Sequence, residues 1–108
     1  MTMEITTEPV DPDTLPGKYI LIELTYLDAM GGLVEKKLCH GVIVTVDPEL
    51  GIGIALEGKE KGDNLSLPFD LWSFHRIEPG NYMVPDTGEI VLNPNYLTSW
   101  TITPNPYE

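Results

Sequence analysis

The stretch YILIELTYLDAMGGLVEKKLCHGVIVTV, residues 19 to 46, reads with a period of two. Ile20, Ile22, Leu24 and Tyr26 fall on one side of an extended chain, with Glu23 and Thr25 on the other. That alternation is expected of a half-buried antiparallel strand. The turn DAMGG follows, in which Gly31 and Gly32 are expected to supply the positive backbone angles of a tight hairpin. A second strand then runs from about Leu33 to Val46. Leu38, Val42, Val44 and Val46 form its expected apolar face, and Gly41 interrupts it where a bulge or a sharp bend is placed.

The same period continues outward from this hairpin. DPELG reads as a type I turn with Pro48 at its second position, leading into a third strand, IGIALE, where Gly53 and Ala55 leave room for another backbone. The polar loop GKEKGDN precedes a short strand around LSL, after which Pro68 and Asp70 are expected to start a single helical turn. A hairpin, YMVPDTGEIVL, turns at Asp86-Thr87-Gly88. Asn93 and Pro94 are placed to open another helical turn before a last strand that carries Trp100 and Ile102 on one face. Helical periodicity is sustained nowhere over three turns. The expected fold is therefore all-β, a small SH3-like or related open barrel of six to seven short antiparallel strands with one or two single-turn helices. Residues 1–17, acidic and punctuated by Pro9, Pro12 and Pro16, read as a flexible arm, residues 18–103 as one barrel domain and residues 104–108 as a tail.

With 108 residues, the chain can remove roughly 60 to 70 per cent of its extended surface from water without disulfides or metals. Its charge is lopsided: 17 Asp and Glu stand against 6 Lys and Arg, a formal net charge of -11. Nucleic-acid binding needs clustered cations to displace phosphate counterions, and Arg76 is the single arginine, so that function is argued against. An anionic membrane surface is disfavoured for the same reason. No stretch approaches 18 consecutive apolar residues, and the first residues lack the basic and apolar run of a secretory signal. One cysteine cannot form an internal disulfide, which fits a reducing, cytoplasmic setting.

Cys39 stands beside His40, one of two histidines. Neighbours in a strand point to opposite faces, so the pair is not expected to share a proton. His40 reads instead as a partly buried imidazole bonded to a backbone carbonyl, and Cys39 as a small apolar filler. Zinc requires three or four suitable ligands, usually at short repeated spacings; one Cys and two separated His supply no such pattern, and no metal or cofactor is expected. Nucleophile-elbow, phosphate-loop and dinucleotide motifs are absent, since GIGIALEG is a strand with glycines and opens no helix. The chain reads as a non-enzyme.

Two groups of residues are binding candidates. Trp72, Phe74, His75 and Arg76 concentrate aromatic and cationic side chains of the kind that dominate recognition surfaces, although sealing the end of a barrel is the stronger reading for them. Asp47, Glu49, Glu57, Glu60 and Asp63 lie in two turns expected to gather at one pole, as an acidic surface for a basic protein or simply as solvated loops. The leading expectation is a protein-binding module with an acidic docking surface, such as a neutraliser of a basic partner. A small-molecule or sugar pocket built on the aromatic group is the alternative, and an enzyme without a recognisable motif ranks last. An exposed sheet edge would also allow pairing with a second copy.

The C-terminal segment carries LP-x-D-L, then P-G-x-Y, TGE and P-x-Y-L-T-x-W, on Leu67-Pro68, Asp70-Leu71, Pro79-Gly80, Tyr82, Thr87-Gly88-Glu89, Pro94, Tyr96-Leu97-Thr98 and Trp100. In these positions it resembles a group of small acidic bacterial all-β proteins. The resemblance covers about a third of the chain and implies a shared fold without an activity or site residues.

Overall fold

The fold was described from a computed structural model, in which residues 9–104 are placed. The flexibility expected of residues 1–8 and of the tail 105–108 lies outside the described residues. Among the described residues eight strands form: β1 (Tyr19–Leu27), β2 (Leu33–Asp47), β3 (Gly51–Leu56), β4 (Asn64–Leu67), β5 (His75–Arg76), β6 (Asn81–Met83), β7 (Ile90–Leu92) and β8 (Tyr96–Ile102). Six of them make one sheet in the order β4-β3-β2-β1-β8-β5, and β6 and β7 make a separate hairpin. The protein is all-β, as the period of two implies.

The arrangement departs from the expected six to seven antiparallel strands in two ways. There are eight strands where six or seven were expected, because β5 to β7 are each only two or three residues long. More importantly, β8 pairs with β1 in parallel, Ile20 opposite Tyr96 through Tyr26 opposite Ile102. Parallel neighbours need a long connection, and everything from β2 to β7 lies between these two. The sheet does not close on itself, since β4 and β5 stand at opposite ends of the strand order.

β1 lies at the centre and is buried on both faces. Ile20, Ile22 and Leu24 point into the main core with Leu15, Cys39, Ile43, Ile52, Ile54, Leu56, Leu67, Phe74 and Tyr96. Leu21 points the other way, into a smaller cluster with Val84 and Val91, against which Tyr19, Leu38, Ile77, Tyr82 and Leu97 pack. The β6–β7 hairpin therefore roofs the second face of the sheet. Burying each such Leu, Ile or Val side chain contributes about 1.5–3 kcal/mol.

On β2 the phase of the alternation is corrected. The even residues Leu38, Val42, Val44 and Val46 were expected to line one apolar face, but Cys39 and Ile43 enter the main core, Leu38 packs in the second cluster and Val44 is exposed. The reason is a register shift against β3 between Ile43 and Thr45, where Val44 is the extra residue. Past it the phase reverses, and Val46 packs against the main core. The irregularity expected at Gly41 thus lies three residues later. Gly41 instead permits the close approach of β3, because a Cβ there would collide with the carbonyl oxygen of Ala55 on the facing strand.

The short helical turns are also elsewhere. They form at Pro12–Thr14 and Gly58–Glu60, not at Pro68 or Asn93. Asp70 caps a tight turn, accepting hydrogen bonds from the Trp72 amide at 3.0 Å and the Ser73 hydroxyl at 2.8 Å. In the β1–β2 turn Gly31 adopts φ +85°, whereas Gly32 needs no positive angle. Residues 10–17, expected to belong to an arm, pack on the sheet. Leu15 is fully buried, Gly17 donates its amide to the Ile43 carbonyl at 2.7 Å, and Val10 donates to Leu71 at 3.0 Å.

Candidate functional site

The antiparallel pairing of β1 and β2 sets Leu21 opposite His40 and Tyr19 opposite Val42. Residues two apart on a strand share a face, so Tyr19, Leu21, Leu38 and His40 all lie under the β6–β7 hairpin. Cys39 lies opposite Ile22 and faces the main core. The neighbours Cys39 and His40 accordingly diverge.

His40 is 6% exposed. Its Nδ1 lies 2.7 Å from the Tyr19 hydroxyl, in place of the backbone carbonyl expected as its partner. Its Nε2 lies 3.4 Å from Glu89 Oε2, close enough for electrostatic attraction to a protonated ring, yet it makes no hydrogen bond. Glu89 arrives from the turn of the β6–β7 hairpin. Its Oε1 accepts from the Thr87 hydroxyl at 2.8 Å and from the Lys59 amide at 3.3 Å. These bonds, Thr87 first, and the nearby imidazole hold the Glu89 carboxyl below the usual carboxylate range.

The chain after β3 completes the site. The Glu57 amide donates to the His40 carbonyl at 2.9 Å, which extends the β2–β3 ladder by one step and seats Gly58 over the ring. Gly58 has φ +72°, and a Cβ there would stand 2.8 Å from His40 Nε2 and collide with the Glu89 carboxylate. Only glycine satisfies both the backbone angle and the space. Beyond it, Glu60 pairs with Lys37, and Glu57 lies 3.9 Å from Lys61.

Together these elements line a cleft of about 310 Å³, bounded by Glu35, Glu57, Glu60, Asp86 and Glu89, with Lys37 and Lys59 as its cations. Five carboxylates against two lysines leave it negative. Tyr19, bonded to His40, and Cys39, in the cleft wall, respond to that field. Burial, and then Glu57 and Glu89, push the Tyr19 phenol up. Burial, and then Glu60, push the Cys39 thiol up to about 11. Both groups are therefore held in their protonated forms.

The acidic candidates separate. Glu57 and Glu60 line this cleft, whereas Asp47 and Glu49 sit in the β2–β3 turn at the other end of β3, about 20 Å along the strand. There Asp47 Oδ1 accepts from the Glu49 and Leu50 amides, at 2.7 and 2.9 Å, which lowers its carboxyl below the ordinary range. Asp63 is exposed in the β3–β4 connection. The aromatic candidates separate as well. Phe74 is buried edge-on against Tyr96, with ring centroids 6.4 Å apart, while Trp72 is 58% exposed and His75 and Arg76 lie exposed on β5. Arg76 lines a different cleft with Lys18, Asn93, Pro94 and Asn95, and Trp72, Phe74 and His75 line neither it nor the cleft above His40.

Tyr19 and Glu89 were not among the site candidates read from the sequence. A turn centred near Gly31 already implies the β1–β2 register, and with it the neighbourhood of Tyr19 and His40. Nothing local indicates Glu89, which is brought by a separate hairpin. Among the described residues no group of three or more His, Cys, Asp and Glu is placed to hold a metal ion, and no helix is long and apolar enough to cross a membrane. In comparisons with known proteins, the chain matches no family model, no curated protein and no solved structure.

Proposed function

We propose that this protein is a non-enzymatic docking module that binds a basic protein through the acidic cleft above His40 and the surface around it. The observation that carries this reading is the cleft itself, where five carboxylates converge against two lysines on a chain of net charge -11. Such a field speeds the approach of a cationic partner more than it raises final affinity. The one thiol that lines the cleft, Cys39, is pushed toward its protonated form, the reverse of what thiolate catalysis needs.

Supporting features concern the scaffold. Leu67 from β4 and Phe74, just before β5, reach one core although their strands stand at opposite ends of the sheet, and this curl favours an SH3-like open barrel. The positions that resemble the small acidic bacterial proteins include buried Leu67, Pro94, Tyr96 and Thr98, which keep a fold. The unpaired thiol of Cys39 suits a reducing, cytoplasmic setting.

Affinity capture from a lysate of the source cells, with washes at low and high salt, tests the proposal. A basic protein retained at low salt and released at high salt is the expected result. Retention of no protein, or of an acidic one that survives high salt, would overturn it.

A further inference from the structure

Within that docking reading, and resting on it, the geometry points to the floor of the cleft, where His40 Nε2 and Glu89 Oε2 converge beside Gly58, as an anchor site for an arginine side chain of the basic partner. Two independent observations meet there. One is the ring of carboxylates from Glu35, Glu57, Glu60, Asp86 and Glu89. The other is His40, a 6% exposed side chain whose Nδ1 is bonded to Tyr19 while its Nε2 has no hydrogen-bond partner. A buried ring nitrogen left unpaired is costly, so a group that pairs it is bound favourably.

Glu89 shows the same asymmetry. Oε1 takes two donors at hydrogen-bonding distance, from Thr87 and Lys59, whereas the neighbour of Oε2 is His40 Nε2, at 3.4 Å. When His40 carries its proton on Nδ1 and donates it to the Tyr19 oxygen, Nε2 becomes an acceptor. Nε2 and Oε2 are then two acceptors 3.4 Å apart with no donor between them. A donor-only cation serves both.

The alternatives fit less well. An anion meets five carboxylates, and among the cleft residues only Leu38 and buried Cys39 are apolar, too little for a hydrophobic ligand. Guanidinium is favoured over ammonium because its planar fork presents several N–H donors at once to separated acceptors. Nε2 itself is buried beside Gly58, so binding requires the Gly58–Glu60 turn to shift aside for the arginine to enter. A Cβ at Gly58 would collide with the Glu89 carboxylate, so the meeting point of the two acceptors opens to a ligand only with that shift.

The test uses the full ¹⁵N-labelled chain and Nα-acetyl-arginine amide, with the neutral citrulline analogue as control. The ring nitrogens of the two histidines are followed by long-range ¹H–¹⁵N correlation, with exposed His75 as the internal reference. The expected result is a saturable shift at His40 with Kd on the order of 1 mM, the scale of one small ion-paired ligand. His75 stays unchanged, citrulline has no effect, and Glu89→Gln weakens binding about tenfold, with Asp86→Asn as a second, exposed variant. No saturable change at His40 at roughly ten times that concentration, or equal shifts with citrulline or at His75, would overturn the site. Failure of the site and of the docking reading are distinguishable. Arginine binding without any captured basic protein rejects the docking reading and keeps the site. A captured basic protein that binds Glu89→Gln as well as the native chain, with His40 silent to arginine, rejects the site and keeps the docking reading.

Discussion

Leu21 lies opposite His40 across the β1–β2 ladder, and this one pairing places the imidazole on the face of the sheet that the β6–β7 hairpin covers. Had the register slipped by a single residue, His40 would face the main core and never meet Glu89. The cleft is thus a consequence of strand register, with hairpin and turn closing over a position already chosen.

The bond between Tyr19 and Nδ1 of His40 is a partly buried one that cannot be replaced from within the apolar cluster around it. Tyr19→Phe is expected to lower stability by about 1–3 kcal/mol, the cost of leaving a buried polar atom unpaired. Urea unfolding checks this, with an unchanged denaturant slope. A loss below about 0.5 kcal/mol would mean that His40 finds another partner.

The corrected face of β2 makes opposite demands on adjacent residues. Ile43 is fully buried and Val44 is exposed at the bulge. Ile43→Ala is expected to cost about 2–5 kcal/mol, and Val44→Ala about 0.5 kcal/mol or less. The reverse order in urea midpoints would restore the even-face reading.

Two glycines separate close approach from backbone angle. A side chain at Gly41 meets the Ala55 carbonyl across the ladder, whereas Gly31 has open space but φ +85°. Gly41→Ala is expected to cost about 3 kcal/mol or more and Gly31→Ala about 1–2 kcal/mol. Thermal unfolding ranks the two, and a milder effect at Gly41 would show that β2 and β3 can part there.

Cys39 predicts an alkaline limit. Its thiol is pushed from 9.0 up to about 11 in the folded chain, by burial first and then by Glu60. Between those values the unfolded thiol has lost its proton and the folded one has not, so the folded state binds more protons and stability falls as pH rises through this window. Tyr19, raised as well, acts in the same direction at higher pH. The urea midpoint should decline from about pH 9 toward about pH 11, and Cys39→Ala should remove part of the decline. Near neutral pH the folded protein should resist thiol reagents. Rapid labelling of the native state would contradict the burial.

The predictions on β2 and on Gly41 also show where sequence reasoning succeeded and where it stopped. On β1, Ile20, Ile22 and Leu24 were legible because acids and threonine fill the alternate positions toward the strand end. Leu21 was less so, since a strand buried on both faces carries an apolar run without alternation. On β2 the apolar residues occupy both phases, and only the bulge after Ile43 decides which phase faces the core. Glu57 and Glu60 were named as acidic candidates from their loop, but their separation from Asp47 and Glu49 follows from the length of β3. Glu89 belongs to a hairpin far along the chain, and no period or motif links it to His40. Of the aromatic group only Phe74 enters the main core, because burial distributes those side chains one by one.

The most direct test of docking through the cleft is the association rate of the captured basic protein, measured by stopped flow across ionic strength for the native chain and for Glu57→Gln/Glu89→Gln. Electrostatic docking predicts a rate that falls tenfold or more between about 50 and about 500 mM salt, and a slower, less salt-sensitive rate for the double variant. A rate that ignores salt, or that is the same for both chains, would contradict it.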